Sequence, residues 1–99
     1  MSMNMNEMLK KARRIQTEME KDEQEIQKKE FTIEKQGITV VMNGLRKLVS
    51  IKFNPALIDP DDPELLEDLL MLAVNEAIET VDKAFDEINA KYSDSGLSF

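Results

Sequence analysis

Six basic residues near the start of the chain have a type and spacing that could do chemistry: Lys10, Lys11, Arg13, Arg14, Lys21 and Lys28. Lys10, Arg14, Thr17, Lys21, Gln24 and Lys28 follow one another by four and three. On a helix that spacing gives one continuous stripe, with Arg13 flanking it on one side and Lys11 on the other. Basic side chains about 5–6 Å apart can follow a phosphate backbone. The same stripe can also be a solvated helix face whose cations pair with Glu7, Glu18 and Glu25, and the spacing leaves both readings open. No aromatic residues interleave the stripe and no base-reading motif accompanies it. The chemistry it offers is therefore phosphate contact rather than sequence readout.

Other candidates are weaker. Asp59, Asp61, Asp62 and Glu64 place four carboxylates in a short stretch that could hold a hard cation. They lack the mid-loop glycine and terminal glutamate of a calcium loop, and acids before a helix are favoured by its dipole. Glu67, Asp68, Glu76, Glu79, Asp82, Asp86 and Glu87 read as a solvated acidic face that could repel DNA or meet a basic protein. Met1, Met3, Met5 and Met8 could form an adaptable apolar surface, with packing in a core or dimer the simpler use. The chain has no histidine and no cysteine. That removes histidine-based nucleophile systems, thiolate metal sites and disulfides. No metal or other cofactor is expected, and no enzymatic activity.

The net charge of −7 argues at first against a polyanionic partner. Its distribution matters more. Residues 1–52 carry eleven Lys and Arg against eight Asp and Glu, a net +3, whereas residues 53–99 carry two against twelve, a net −10. With a Debye length of about 8 Å at physiological ionic strength, a basic helix tip that projects from the body can act locally. Long-range steering would still be weakened.

These side chains must be positioned by a small number of elements. Ninety-nine residues make one domain, expected over residues 1–92 with a short flexible tail at 93–99. Met5, Met8, Ala12, Ile15, Met19 and Ile26 alternate by three and four, as in a coiled-coil seam, and Asp22 interrupts it where another apolar residue is due. No Gly or Pro breaks residues 4–29, so the spacing predicts a helix of roughly 38 Å, long enough to project. Gln36-Gly37 and Asn43-Gly44 are turn signals. Centring a two-residue turn on each pairs Phe31 with Met42 and Ile33 with Val40 in the first hairpin. In the second it pairs Met42 with Leu45, Val40 with Lys47 and Ile38 with Val49. Lys47 is then the one misfit on an apolar sheet face. Residues 54–62 form a loop. Asp62-Pro63 reads as the N-cap and first position of a second helix ending near Tyr92. Its apolar stripe is Leu66, Leu69, Leu70, Ala73, Val74, Ala77, Ile78, Val81, Ala84, Phe85 and Ile88, widened by Leu65, Met71 and Leu72. A stripe this wide serves two surfaces, the sheet and, most simply, a second copy.

The expected fold class is therefore α+β: α-β-β-β-α, with a three-stranded antiparallel meander flanked by two long helices, dimeric with projecting helix arms. No apolar run approaches a membrane span and no apolar segment follows a basic start, so neither a membrane partner nor a secretory signal is expected.

Several collinear motifs carry a resemblance. Gly37 to Gly44 (GITVVMNG) resembles the G-x-V-x-V-x-x-N-G pattern of the YbaB/EbfC family, with Thr39 in a usually hydrophobic place. Val49 to Pro55 resembles its V-x-I-x-I-D-P segment. Leu66-Glu67-Asp68-Leu69 and Ala73-Val74-Asn75-Glu76-Ala77 resemble its L-E-D-L and A-x-N-D-A motifs, and Met8 to Gln16 is similar to its M-K-Q-A-Q-x-M-Q opening. The match spans roughly residues 5–90. The family's glycine-rich start is absent and its long C-terminal tail is reduced. The resemblance implies a tight homodimer with tweezer-like helices, a cytoplasmic, nucleoid-associated location, and DNA contacts on the helical extensions. By position those are Lys10, Lys11, Arg13, Arg14 and Lys21. The expected function is a dimeric nucleoid-associated protein that contacts the DNA backbone with little sequence specificity. The alternative is a protein-interaction module using the acidic second helix or the cleft between the arms.

Overall fold

The computed structural model describes residues 4–93. Helix α1 (Met5–Lys28) is followed by strands β1 (Glu30–Lys35), β2 (Ile38–Asn43) and β3 (Leu48–Phe53), and by helix α2 (Pro63–Tyr92). A single 3-10 turn, Pro55–Leu57, lies before α2. The order is the α-β-β-β-α arrangement read from the spacing. The strands form one antiparallel sheet in the order β1-β2-β3. The expected tail lies outside the described residues apart from Ser93, as do Met1 and Met3.

The first hairpin has the expected register, with Phe31 opposite Met42 and Ile33 opposite Val40. Gln36 (φ 48°) and Gly37 (φ 92°) both take positive φ, which a two-residue turn matched to the twist of its strands requires.

The second hairpin departs from the reading. Met42 faces Leu48, not Leu45; Val40 faces Ile51, not Lys47; and Ile38 faces Phe53, not Val49. The cause lies in Asn43-Gly44. Asn43 ends β2 instead of entering the turn. Its side-chain oxygen accepts from the backbone N–H groups of Leu45 (2.9 Å) and Lys47 (3.1 Å), and its carbonyl accepts from Arg46 N–H at 2.9 Å. Arg46 supplies the left-handed residue (φ 62°). The turn is thus longer than two residues, and the extra length is absorbed by an irregularity beside Val41 and Met42. Lys47 leaves the apolar face for the turn, so the misfit disappears.

Gly44 is required for another reason. It packs on the end of α1, where a Cβ would run into the Ile26 carbonyl and lie 2.7 Å from Gln27 Cα. Its N–H donates to the Lys29 carbonyl at 3.1 Å, tying the turn to the helix end.

The main core is Ile38, Val40 and Met42 of β2 against Leu69, Ala73, Ala77 and Val81 of α2. Alternation along the strand and steps of four along the helix bring these rows face to face. Two alanines in the helix row let its backbone approach the sheet. Burying each large side chain here stabilises the fold by about 1.5–3 kcal/mol. All eleven residues of the predicted α2 stripe are buried or half-buried, whereas Leu65, Met71 and Leu72 stay exposed. Helix α2 begins at Pro63 with Asp62 at the N-cap position, as the spacing predicts, although the Asp62 side chain makes no cap hydrogen bond.

At about 45 Å, α2 outruns strands of six residues, each about 20 Å long. Beyond the sheet it meets α1, where Ile15, Ile88 and Tyr92 form a second small cluster with Met19 and Ile26 packed against it.

Candidate nucleic-acid interface

Helix α1 begins where Asn4 accepts the Glu7 N–H on its side chain at 2.8 Å, a cap that satisfies one of the four free N–H groups of the first turn. From there the seam runs along one face. Met5 (69%) and Met8 (53%) continue the seam face but are uncovered in the protomer, because α2 reaches Tyr92 only opposite the middle of α1. The first part of α1 therefore projects, and the molecule is elongated, 72 × 20 × 13 Å.

Lys10, Lys11, Arg13, Arg14, Lys21 and Lys28 are all exposed on α1. None of them forms an ion pair, so the pairing with Glu7, Glu18 and Glu25 that would make this a self-neutralised face is absent among the described residues. Thr17, in line with the stripe, turns its hydroxyl back to donate to the Arg13 carbonyl at 2.9 Å. Helix geometry thus aligns Lys10, Arg14, Lys21 and Lys28, with Arg13 and Lys11 to either side.

The cations that are paired lie elsewhere. Lys35 Nζ sits 3.0 Å from Glu76 Oε2. Arg46 donates from Nε and Nη2 to Asp82 Oδ1 at 2.9 and 2.6 Å, and its guanidinium lies 5.2 Å from the Phe85 ring centre. Glu76 and Asp82 are therefore half-buried ties to the sheet, not members of the free acidic face expected of them. The rest of that set, Glu67, Asp68, Glu79, Asp86 and Glu87, is exposed.

A third pair was not foreseen. Asp22, the break in the seam, accepts on Oδ2 from Tyr92 Oη at 2.6 Å and from Lys91 Nζ at 3.0 Å. These bonds, Tyr92 first, hold the Asp22 carboxyl below the usual carboxylate range. The same carboxylate raises the Lys91 ammonium and the Tyr92 phenol above their ordinary values. The interruption at Asp22 was visible in the sequence, but nothing local could name partners 69 and 70 residues away.

Of the carboxylates before α2, Asp59 serves the loop. Asp59 accepts the Asp61 N–H on its own side chain at 2.9 Å. Among the described residues no three carboxylates converge on a metal position. No described helix is long and apolar enough to cross a membrane.

The sequence profile of the YbaB/EbfC DNA-binding family matches residues 1–97. The chain belongs to the YbaB/EbfC family. It is 60% identical over 95 residues to a nucleoid-associated protein of Metamycoplasma arthritidis, covering 96% of this chain and all of that one. A nucleoid-associated protein of Mycoplasmopsis pulmonis is 53% identical, with 99% and 98% covered. One from a Thermoanaerobacter species is 40% identical, with 89% and 81% covered. In this YbaB/EbfC chain, then, six exposed cations without ion pairs share α1, the element whose first part extends beyond the packed body, while Lys29, Lys47, Lys52 and Lys83 are exposed elsewhere.

Proposed function

We propose that the protein is a homodimeric, nucleoid-associated DNA-binding protein. It contacts the phosphate backbone through Lys10, Lys11, Arg13, Arg14, Lys21 and Lys28 and has little sequence preference. The observation that carries this reading is the contrast among the cations. Among the described residues, six exposed cations without ion pairs are gathered on α1, four of them in one line. Lys35, Arg46 and Lys91 are held by acids, and the other unpaired cations, Lys29, Lys47, Lys52 and Lys83, lie outside that helix. A cation already paired must give up a partner before it can replace a counterion on DNA; one in water need not. The relatives are named as nucleoid-associated proteins, which supports the same location here.

Support for a dimer comes from the apolar surface that one protomer leaves uncovered. Helix α2 lies across β1 and β2 and leaves β3 at the sheet edge, with Leu48, Val49, Ile51 and Phe53 exposed. Ile58, Leu65, Met71 and Leu72 add to it. An apolar hollow of about 440 Å³ between the loop and α2 is lined by Leu57, Pro60, Pro63 and Leu66. A second copy would cover such a surface and close the open edge of β3.

Gel shifts of duplex DNA over a salt series test the interface. Binding should weaken steeply with salt, and the combined Lys10→Glu, Arg14→Glu, Lys21→Glu variant should lose it. A shift by that variant equal to wild type would refute the assignment.

A further inference from the structure

A carboxylate stands in the α1 seam where Ala12, Ile15, Met19 and Ile26 set up an apolar position. Around it the two helices are only partly in contact. A cleft of about 400 Å³ opens between them, lined by Asp22, Glu25 and Ile26 on one side and by Ala84, Glu87 and Ile88 on the other. The apolar ties across the gap are few: Ile15 and its neighbours against Ile88 and Tyr92. Apolar contacts hold two helices together without fixing their register, because a slipped helix exchanges one such contact for another. A hydrogen bond is lost when its atoms part by a few tenths of an ångström beyond about 3.2 Å. A single polar residue in a helix seam is a known way to set alignment at some expense in stability.

We propose that Asp22, by gripping Tyr92 and Lys91, is a positioning residue that fixes the register and angle at which α1 holds its basic stripe out to DNA. Three observations converge on it. The carboxylate lies on the seam, facing α2 rather than the stripe. Both donors are the last two residues of α2, so the grip is made near the end of the helix pair from which the first turns of α1 project. The other end of α1 is already fixed by the Gly44 contact with Ile26 and Gln27. One fixed end leaves a lever free to swing, and a second directed contact stops it. The inference rests on α1 carrying the DNA contacts.

A positioning residue and a contact residue differ in salt dependence. Losing a phosphate contact lowers the slope of log affinity against log salt by about 1. Loosening the arm lowers affinity by the same factor at every salt concentration, because the number of phosphates engaged is unchanged. Asp22→Ala should weaken binding about tenfold at each salt with the slope of wild type, in line with the loss of charged hydrogen bonds. Tyr92→Phe, which keeps the ring in its cluster, should do the same to a smaller degree. Asp22→Asn retains an acceptor for Tyr92 and should recover part of the loss. Lys10→Gln, by contrast, should lower the slope.

A second measurement is independent of DNA. The chain has no cysteine, so Asn6→Cys on α1 and Thr32→Cys on β1 give unique sites for a spin-label pair. Dilution with unlabelled protein keeps the distance within one chain. Wild type should show a narrow distribution, and Tyr92→Phe and Asp22→Ala a broad one. Equal widths in all three proteins would overturn the proposal, as would a lowered salt slope or an unchanged affinity in Asp22→Ala. If wild type fails to bind DNA, the DNA reading and the presentation role fall together. The distance widths would then still show whether the grip holds the arm.

Discussion

Asp22 carries a charge that the protein keeps over a wide pH range. Its carboxyl is held below the ordinary range by Tyr92 and then Lys91, so its stabilising effect is present in full above the unfolded-state value of roughly 3.9. It is lost as pH falls through the lower, folded value. Lys91 and Tyr92 are raised by the same carboxylate, so their share is present below their ordinary values and lost as pH rises through the folded ones. The difference in melting temperature between wild type and Asp22→Asn should therefore be flat from about pH 5 to 9 and shrink at both extremes. A difference that instead peaks near neutral pH would contradict the assignment. At this scale the sequence was legible wherever a pattern is local. The α1 stripe follows from spacing alone. The ion pairs Arg46–Asp82 and Lys35–Glu76 do not, because each joins residues brought together only by the docking of α2 on the sheet.

Asn43-Gly44 shows how a strong local signal can be right about a turn and wrong about its form. The pair does end a strand and does reverse the chain. Yet Asn43 acts as an acceptor that folds the next residues around itself, and Gly44 is there because α1 presses on it. A two-residue turn needs glycine for its φ; this one needs glycine for the space. Gly44→Ala should accordingly destabilise the protein by about 1–3 kcal/mol in urea unfolding, the range for forcing an extra methyl into a packed site. A change below about 0.5 kcal/mol, typical of free surface positions, would mean that α1 does not bear on the turn. At Gln36 the reason for the turn is conformational instead, and Gln36→Asn should stabilise by a few tenths of a kcal/mol, because asparagine tolerates positive φ better. The corrected register moves the second-hairpin pairing by an even number of residues over most of its length. That is why odd-numbered residues of β3 still meet the apolar residues of β2, with Ile51 opposite Val40 and Phe53 opposite Ile38. Side-chain alternation survives an even shift, whereas the identity of the cross-strand partner does not.

For the molecule as a whole, the surface left uncovered on β3 and the first half of α2 sets the expected assembly. Light scattering at micromolar concentration should give twice the 11.4 kDa protomer mass, and Leu72→Glu, at a position 54% exposed in the protomer, should shift it toward one. Protomer mass for wild type would refute the dimer, and a melting temperature of wild type that falls with dilution, a dependence weakened in Leu72→Glu, would confirm that folding and association are linked. The projecting arm was legible from helix length. How far its seam would be covered was not, since that depends on where α2 ends beside it.

The separation of charge along this 72 Å molecule has one more consequence. The acids around the start of α2 and the cations near the start of α1 lie toward opposite ends of an antiparallel helix pair, so each protomer is an electric dipole as well as a net anion. In the field of a polyanion such an object experiences a torque. It turns its cationic tip inward and its acidic end outward before any contact forms. A surface coated in this way presents negative charge again, so each bound molecule discourages a second layer. The coat would limit its own thickness.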